Sequence, residues 1–214
     1  ITTDPIIQPK GYNKDKIKEI EKRYEQVASE INKNRNELID NQTIVYVLSE
    51  SFADPSRIEG VNLSRNPIPK IQEIKAKVTS GLMQSDGYGG GTANMEFQTL
   101  TGLPFYNINP TVSVIYSEVA PKMQKLISVS DSFNNKKVIH FESPINYSRN
   151  VIYNRLKFNK FISIDDKDDF DWGYQEVHIS DESTYKAVLK EMDTKKNQFF
   201  SVITIQNHPP FIAG

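Results

Sequence analysis

The chain has 214 residues, 26 Lys and Arg against 27 Asp and Glu, and 37% apolar residues, which is the size and balance of one folded domain and excludes a disordered segment. A net charge of −1 gives no general reason to bind nucleic acid or anionic lipid. The absence of cysteine excludes disulfides, thiolate metal sites and a cysteine nucleophile, and no run approaches the roughly 18 apolar residues of a membrane span.

Residues 1–12, with Pro5, Pro9 and Gly11, read as a linker. From Asn13 to about Leu38 the chain is rich in Lys and Glu, with Ile17, Ile20, Tyr24, Val27 and Ile31 at helical spacing. That pattern predicts an amphipathic helix packing one narrow stripe. Residues 1–40 thus form an approach to a domain over 41–214, inside which no further boundary or repeat is visible. Thr43–Ser49, TIVYVLS, is a short β-branched run of the kind expected of a buried parallel strand. Glu50 follows at once, where open α/β sheets place ligand-binding groups, although alone it can equally cap a loop. A loop with Pro55, Gly60 and Pro67 leads to a predicted helix over 68–77 and a predicted strand over Val78–Ser85.

Gly87, Gly89, Gly90 and Gly91 then lead into Thr92, and Ala93–Thr101 reads as a helix ended by Gly102 and Pro104. Thr92 sits at the mouth of that helix, where free N–H groups and the dipole stabilise negative charge. That setting suits a hydroxyl that must become an alkoxide, or a bound phosphate. It is equally the setting of an ordinary N-cap. The run departs from the P-loop, because no Gly-Lys-Ser/Thr follows, and from G-x-G-x-x-G, because Thr92 stands where the third glycine belongs.

Further on, a helix is predicted over Glu118–Phe133 and a strand over Val138–Phe141, whose far end carries His140, Glu142, Tyr147 and Arg149. A helix over Val151–Leu156 and a strand over Lys160–Ile164 follow. The acidic run Asp165–Asp171 lacks the glycine and terminal glutamate of an EF-hand and reads as a solvated loop. Ser180 is a good N-cap for a helix to about Met192. His178, just before it, has no evident partner and reads as incidental. Gln198–Ile205, QFFSVITI, is a second apolar strand, running into His208. Strands alternating with helices predict an α/β fold with a largely parallel central sheet flanked by helices.

The run from Gly89 to Pro104, GGGTANMEFQTLTGLP, resembles the nucleophile segment of the lipoteichoic acid synthase and phosphoglycerol transferase family. That family is the sulfatase-like branch of the alkaline phosphatase superfamily. Four further segments carry the same resemblance: Leu48-Ser-Glu50-Ser-Phe52, His140-x-Glu142 with Tyr147-x-Arg149, Trp172-Gly173 with Asp181-Glu182, and Asn207-His208 with Phe211. The resemblance implies an alkaline phosphatase/sulfatase-like fold with Thr92 as nucleophile and metal ligand and Glu50 as metal ligand. It also implies a glycerol-phosphate pocket of His140, Glu142, Tyr147, Arg149 and His208. In that pocket Arg149 would grip phosphate oxygens through two N–H groups, His140 would donate to another, and Glu142 would accept from a glycerol hydroxyl. Tyr147 stands where the family commonly has tryptophan, and Glu142 where it has aspartate.

The resemblance further implies Mn2+ or Mg2+, since hard oxygen ligands favour such ions. The implied reaction transfers glycerol phosphate from phosphatidylglycerol to a growing lipoteichoic acid-type polymer or a glycolipid primer. It would take place at the extracellular face of a Gram-positive membrane, with an anchor upstream of Ile1. The family's downstream Asp-His ligand pair has no counterpart, because the three histidines are His140, His178 and His208 and none follows an aspartate. Residues 41–214 therefore read as the N-terminal portion of such a catalytic domain, with its C-terminal part missing. Two other readings stay open: a phosphodiesterase or sulfatase-type hydrolase using the same nucleophile with water, and a non-catalytic module that binds glycerophosphate. A nucleotide-binding fold leaves Glu50 and the histidine segments unexplained.

Overall fold

The computed structural model describes residues 8–35, 41–85, 91–175 and 177–210. In chain order the helices are α1 (Lys14–Asn32), α2 (Pro69–Lys77), α3 (Thr92–Thr101), α4 (Ile115–Glu118), α5 (Arg149–Arg155) and α6 (Asp181–Glu191). The strands are β1 (Thr43–Ser49), β2 (Asn135–His140), β3 (Lys160–Ile162), β4 (Tyr174–Gln175), β5 (His178–Ile179) and β6 (Gln198–Thr204). Four of them make a parallel sheet in the order β1-β6-β2-β3, and β4 and β5 form a small antiparallel pair.

Position in the sheet explains burial. β6 lies between β1 and β2, and all seven of its residues are buried, as its unbroken apolar run requires. Its side chains alternate between faces. Phe199 and Ile203 pack with Val138 against Phe97 and Leu100 of α3, Ile115 and Tyr116 of α4, and Ile152 and Tyr153 of α5. Phe200 and Val202 pack with Ile139 and Ile162 against Ala187 and Val188 of α6. Both faces of the sheet are therefore covered, the arrangement of an α/β domain. Because the strands are parallel, Glu50, His140 and the segment after Thr204 all emerge at one edge of the sheet, and that edge carries the site.

Four expectations need correction. β1 has the predicted bounds but is an edge strand, so Val45 and Val47 remain 37% and 45% exposed. α1 forms from its Asn13 cap, yet none of its residues is buried. Its apolar stripe packs against nothing among the described residues, and the predicted end near Leu38 lies outside them. Val78–Ser85 makes no strand and is exposed. The single helix predicted over Glu118–Phe133 is instead three short pieces: α4, a turn over Ala120–Lys122 and another over Val129–Ser132. Pro121 cannot donate to an α-helical ladder, and Ser128 with Asp131 forms a capping box that starts a new turn.

Candidate active site

Thr92 is set by a backbone device one residue before it. Gly91 takes φ 86°, a left-handed conformation, and serves as N-cap of α3, a role that favours glycine. Thr92 is consequently the first helical residue, one position inside the start at Ala93 that the sequence predicts, and not an N-cap. Its hydroxyl is free of capping duty and donates to Oε1 of Glu50. Gly87, Gly89 and Gly90 lie outside the described residues. The first turn of α3 is pinned by Asn94, whose amide donates to the Ser113 carbonyl at 2.9 Å and accepts from the Ile115 N–H at 2.9 Å.

Glu50 leaves the end of β1 and is followed by Ser51 at φ 55°, an uncommon left-handed non-glycine residue of the kind that clusters at functional sites. A second such kink precedes Arg149. Tyr147 and Ser148 have φ 56° and 60°, so the chain turns sharply before entering α5. Arg149 is thereby driven inward and is only 2% exposed.

The partner of Arg149 escaped the sequence reading. Glu96, one turn beyond Thr92 on α3, receives Nε at 3.0 Å and Nη2 at 2.6 Å. It also accepts from the Tyr153 hydroxyl at 3.1 Å, and that hydroxyl lies 2.8 Å from Ser201 Oγ on β6. The i, i+4 spacing of Thr92 and Glu96 puts both on one helix face and was the signal available. Burial would lower the Arg149 pKa, yet the Glu96 carboxylate holds it above the ordinary guanidinium value. Arg149 is thus a fixed cation, and the edge expected to grip phosphate is committed to Glu96. Its guanidinium carbon lies 5.0 Å from the centre of the Tyr147 ring.

His140 ends β2 in the core, 1% exposed. Its Nδ1–H donates to the Ile203 carbonyl at 3.1 Å. Burial, reinforced by the Arg149 cation, brings its pKa down to about 3. A neutral ring protonated on Nδ1 offers a lone pair at Nε2, so His140 donates to a phosphate only when that nitrogen is also protonated. Glu142 takes the Ser143 N–H at 3.3 Å and the Asn146 amide at 3.4 Å. His208 lies with Nδ1 2.6 Å from the Pro209 carbonyl.

These side chains meet. A cavity of about 440 Å³ is lined by Glu50, His140, Glu142, Tyr147, Arg149 and His208, with Thr92 attached through Glu50. His178, set aside as incidental, lines the same cavity.

Residues 42–213 match the family model described as Sulfatase. The chain belongs to the sulfatase family.

The solved phosphoglycerol transferase GacH of Streptococcus pyogenes, in complex with sn-glycerol-1-phosphate, matches 98% of this sulfatase chain with a TM-score of 0.90 and 41% identity. The lipoteichoic acid synthase LtaP of Listeria monocytogenes matches 80% of it with a TM-score of 0.58 and 18% identity, a likeness of fold. A putative cyclic beta-1,2-glucan modification protein of Rhizobium meliloti (strain 1021) is 30% identical over 177 residues. The chain spans 56% of the GacH chain, 42% of the LtaP chain and 26% of the Rhizobium protein. Its parallel sheet with helices on both faces is the alkaline phosphatase/sulfatase-like fold.

Sulfatase-like enzymes generally work with a divalent cation. The carboxylate of Glu50 and the hydroxyl of Thr92, already in contact, are the hard oxygen donors that such ions take. Among the described residues no group of three or more His, Asp or Glu gathers at ligand spacing. The donor chemistry fits a hard cation, for which Glu50 and Thr92 would be the ligands this chain offers.

Proposed function

We propose that this sulfatase domain is the nucleophile-bearing part of a phosphoglycerol transferase. The observation that carries the reading is the contact of the Thr92 hydroxyl with Glu50 beside a cavity that also presents the buried Arg149 cation. The likeness to GacH at 41% identity supports it. In this reading Thr92 Oγ attacks the phosphorus of phosphatidylglycerol, the bond to diacylglycerol breaks, and the glycerophosphoryl group rests on Thr92. A glycerol hydroxyl of a lipoteichoic acid-type polymer, or of a glycolipid primer, then displaces Thr92 and takes the group.

Glu50 accepts the hydrogen bond of the Thr92 hydroxyl and so aims its lone pairs toward the cavity. Arg149, held charged by Glu96, faces the phosphoryl oxygens as charge shifts onto them. A divalent ion, Mn2+ or Mg2+, bound to Glu50 and Thr92 would supply charge neutralisation and a lowered hydroxyl pKa. In this reading residues 41–214 serve as the N-terminal portion of the catalytic domain, residues 1–40 are its approach from a membrane anchor, and the site works at the extracellular face.

The test is transfer of labelled glycerol phosphate from phosphatidylglycerol by the longest natural protein that carries this chain. Thr92→Ala is expected to lower the rate by on the order of a thousandfold or more, as for other nucleophile deletions. Transfer that survives the substitution would remove Thr92 from the chemistry. Release of free glycerol phosphate without transfer product would make the enzyme a hydrolase, and binding without turnover would leave a recognition module.

A further inference from the structure

We infer that Glu96 is a positioning residue: it locks the Arg149 guanidinium to α3, the helix that carries Thr92, so that cation and nucleophile keep one fixed relation. This role rests on the reading of Thr92 as the nucleophile. Two sides of the guanidinium are occupied. Nε and Nη2 both donate to Glu96 Oε1, at 3.0 and 2.6 Å, and Nε lies 3.2 Å from Oε2. The Tyr147 ring stands 5.0 Å from the guanidinium carbon. Nη1 has no partner among the described residues and is not one of the atoms sealed from solvent, although Arg149 as a whole is buried and lines the cavity. A phosphoryl group can therefore meet Arg149 at its far end, at Nη1 and the remaining Nη2 hydrogen, and not along the Nε–Nη2 edge.

Glu96 is itself held. Its side chain is buried, and Oε2 accepts from the Tyr153 hydroxyl at 3.1 Å. That hydroxyl has one proton and gives it to Glu96, so the Ser201 hydroxyl 2.8 Å away donates to it in turn. Ser201 lies in β6, between Tyr46 of β1 and Val138 of β2, on a strand whose residues are all buried. The Tyr153 ring is packed edge-on against Tyr116, Phe158 and Phe161. The carboxylate is thus referenced to the middle of the sheet through Tyr153 and Ser201, and to α3 through its own backbone.

Stability alone does not account for an ion pair at this place, because a buried pair adds little over apolar residues of the same size. What the pair does supply is a permanent charge with a set direction at the cavity wall. Glu96 follows Thr92 by four positions and shares its helix face. The turn between them is pinned by Asn94 to Ser113 and Ile115. A charge already aimed at a reacting phosphoryl group stabilises the transition state without reorganisation. A displacement of about 1 Å is enough to lower the rate on the order of a hundredfold.

The test compares wild type, Glu96→Gln and Tyr153→Phe in the longest natural protein that carries this chain. Glutamine keeps the size and an acceptor and removes the charge. Phenylalanine keeps the ring and every charge and removes the tie between Glu96 and Ser201. Transfer kinetics give kcat and KM, and calorimetry with inorganic phosphate gives the affinity of the cavity for an anion. In Glu96→Gln, kcat is expected to fall by about a hundredfold, while phosphate binds several-fold more tightly because the Arg149 charge is no longer neutralised. In Tyr153→Phe, which tests the idea even if the glutamine variant does not fold, kcat should fall by about tenfold with KM and phosphate affinity unchanged. A merely structural role would lower kcat and affinity together. Such a parallel loss in either variant, or an unchanged kcat in Tyr153→Phe, would overturn the inference and leave the transferase reading intact. If wild type makes no transfer product, the transferase reading falls by itself and the calorimetry still decides: tighter phosphate binding in Glu96→Gln supports the hold of Glu96 on Arg149, and unchanged or weaker binding overturns it.

Discussion

At His140 burial and a neighbouring cation act in one direction, and a hydrogen bond to the Ile203 carbonyl opposes them. Burial first, then the Arg149 charge, brings its pKa from the usual 6.5 to about 3. Between those values the unfolded chain binds a proton that the folded chain refuses, so stability is full above pH 6.5 and is lost as pH falls toward about 3. Melting temperature measured from pH 7.5 down to 4.5 should therefore fall, and fall less steeply in His140→Gln; equal slopes would assign the effect to other groups. Glu96 presents the complementary case. Burial raises its carboxyl pKa, opposed by the Arg149 guanidinium and the Tyr153 hydroxyl that favour the ion. Glu96→Ala would strand a buried guanidinium and is expected to cost about 3–5 kcal/mol, read by urea denaturation. A loss below about 1 kcal/mol, the scale of an exposed pair, would show that water reaches Arg149.

Among the elements, burial follows place in the sheet more than local composition. β1 and β6 are both seven-residue apolar strands paired in register, Val45 beside Phe200 and Val47 beside Val202. Phe200 is wholly buried and Val47 is 45% exposed. Phe200→Ala is expected to cost about 3–5 kcal/mol, as large-to-small changes in cores do, whereas Val47→Thr should stay within about 0.5 kcal/mol. Similar losses at both positions in chemical denaturation would mean that β1 is covered in solution. The helix starts show the same division between local and distant causes. Ser180 caps α6 by accepting from the Ser183 N–H, a local matter visible in the sequence. Thr92 is released from capping α3 because Gly91 adopts φ 86°, and its hydroxyl is engaged by Glu50 from a strand 42 residues earlier.

For the whole molecule, the parallel topology gathers the site. Glu50 from β1, Thr92 and Glu96 from α3, His140 from β2, Arg149 from α5 and His208 after β6 converge because the strands point the same way. The proposed metal site can be tested at this scale by titrating manganese into the chain by calorimetry. Binding at the oxygen pair should disappear in both Glu50→Ala and Thr92→Ala. An isotherm that neither substitution alters would place the ion elsewhere.

The sequence by itself determined the bounds of β1, the end of α3 at Gly102, the Ser180 cap and the set of polar residues at strand ends, because each depends on neighbours a few positions away. It also carried the family, since the segments around Glu50, Thr92, His140 and His208 are contiguous motifs. Only the tertiary structure decided which strand lies at the edge and that the α1 stripe is left exposed, whereas the break-up of Glu118–Phe133 has local causes in Pro121 and the Ser128–Asp131 capping box. The tertiary structure also decided that Arg149 is bound to Glu96, that His140 turns Nδ1 to the Ile203 carbonyl, and that His178 belongs to the cavity. These are consequences of contacts between residues far apart in the chain, from 30 positions for His178 and His208 to 155 for β1 and β6, where no local pattern records the partner.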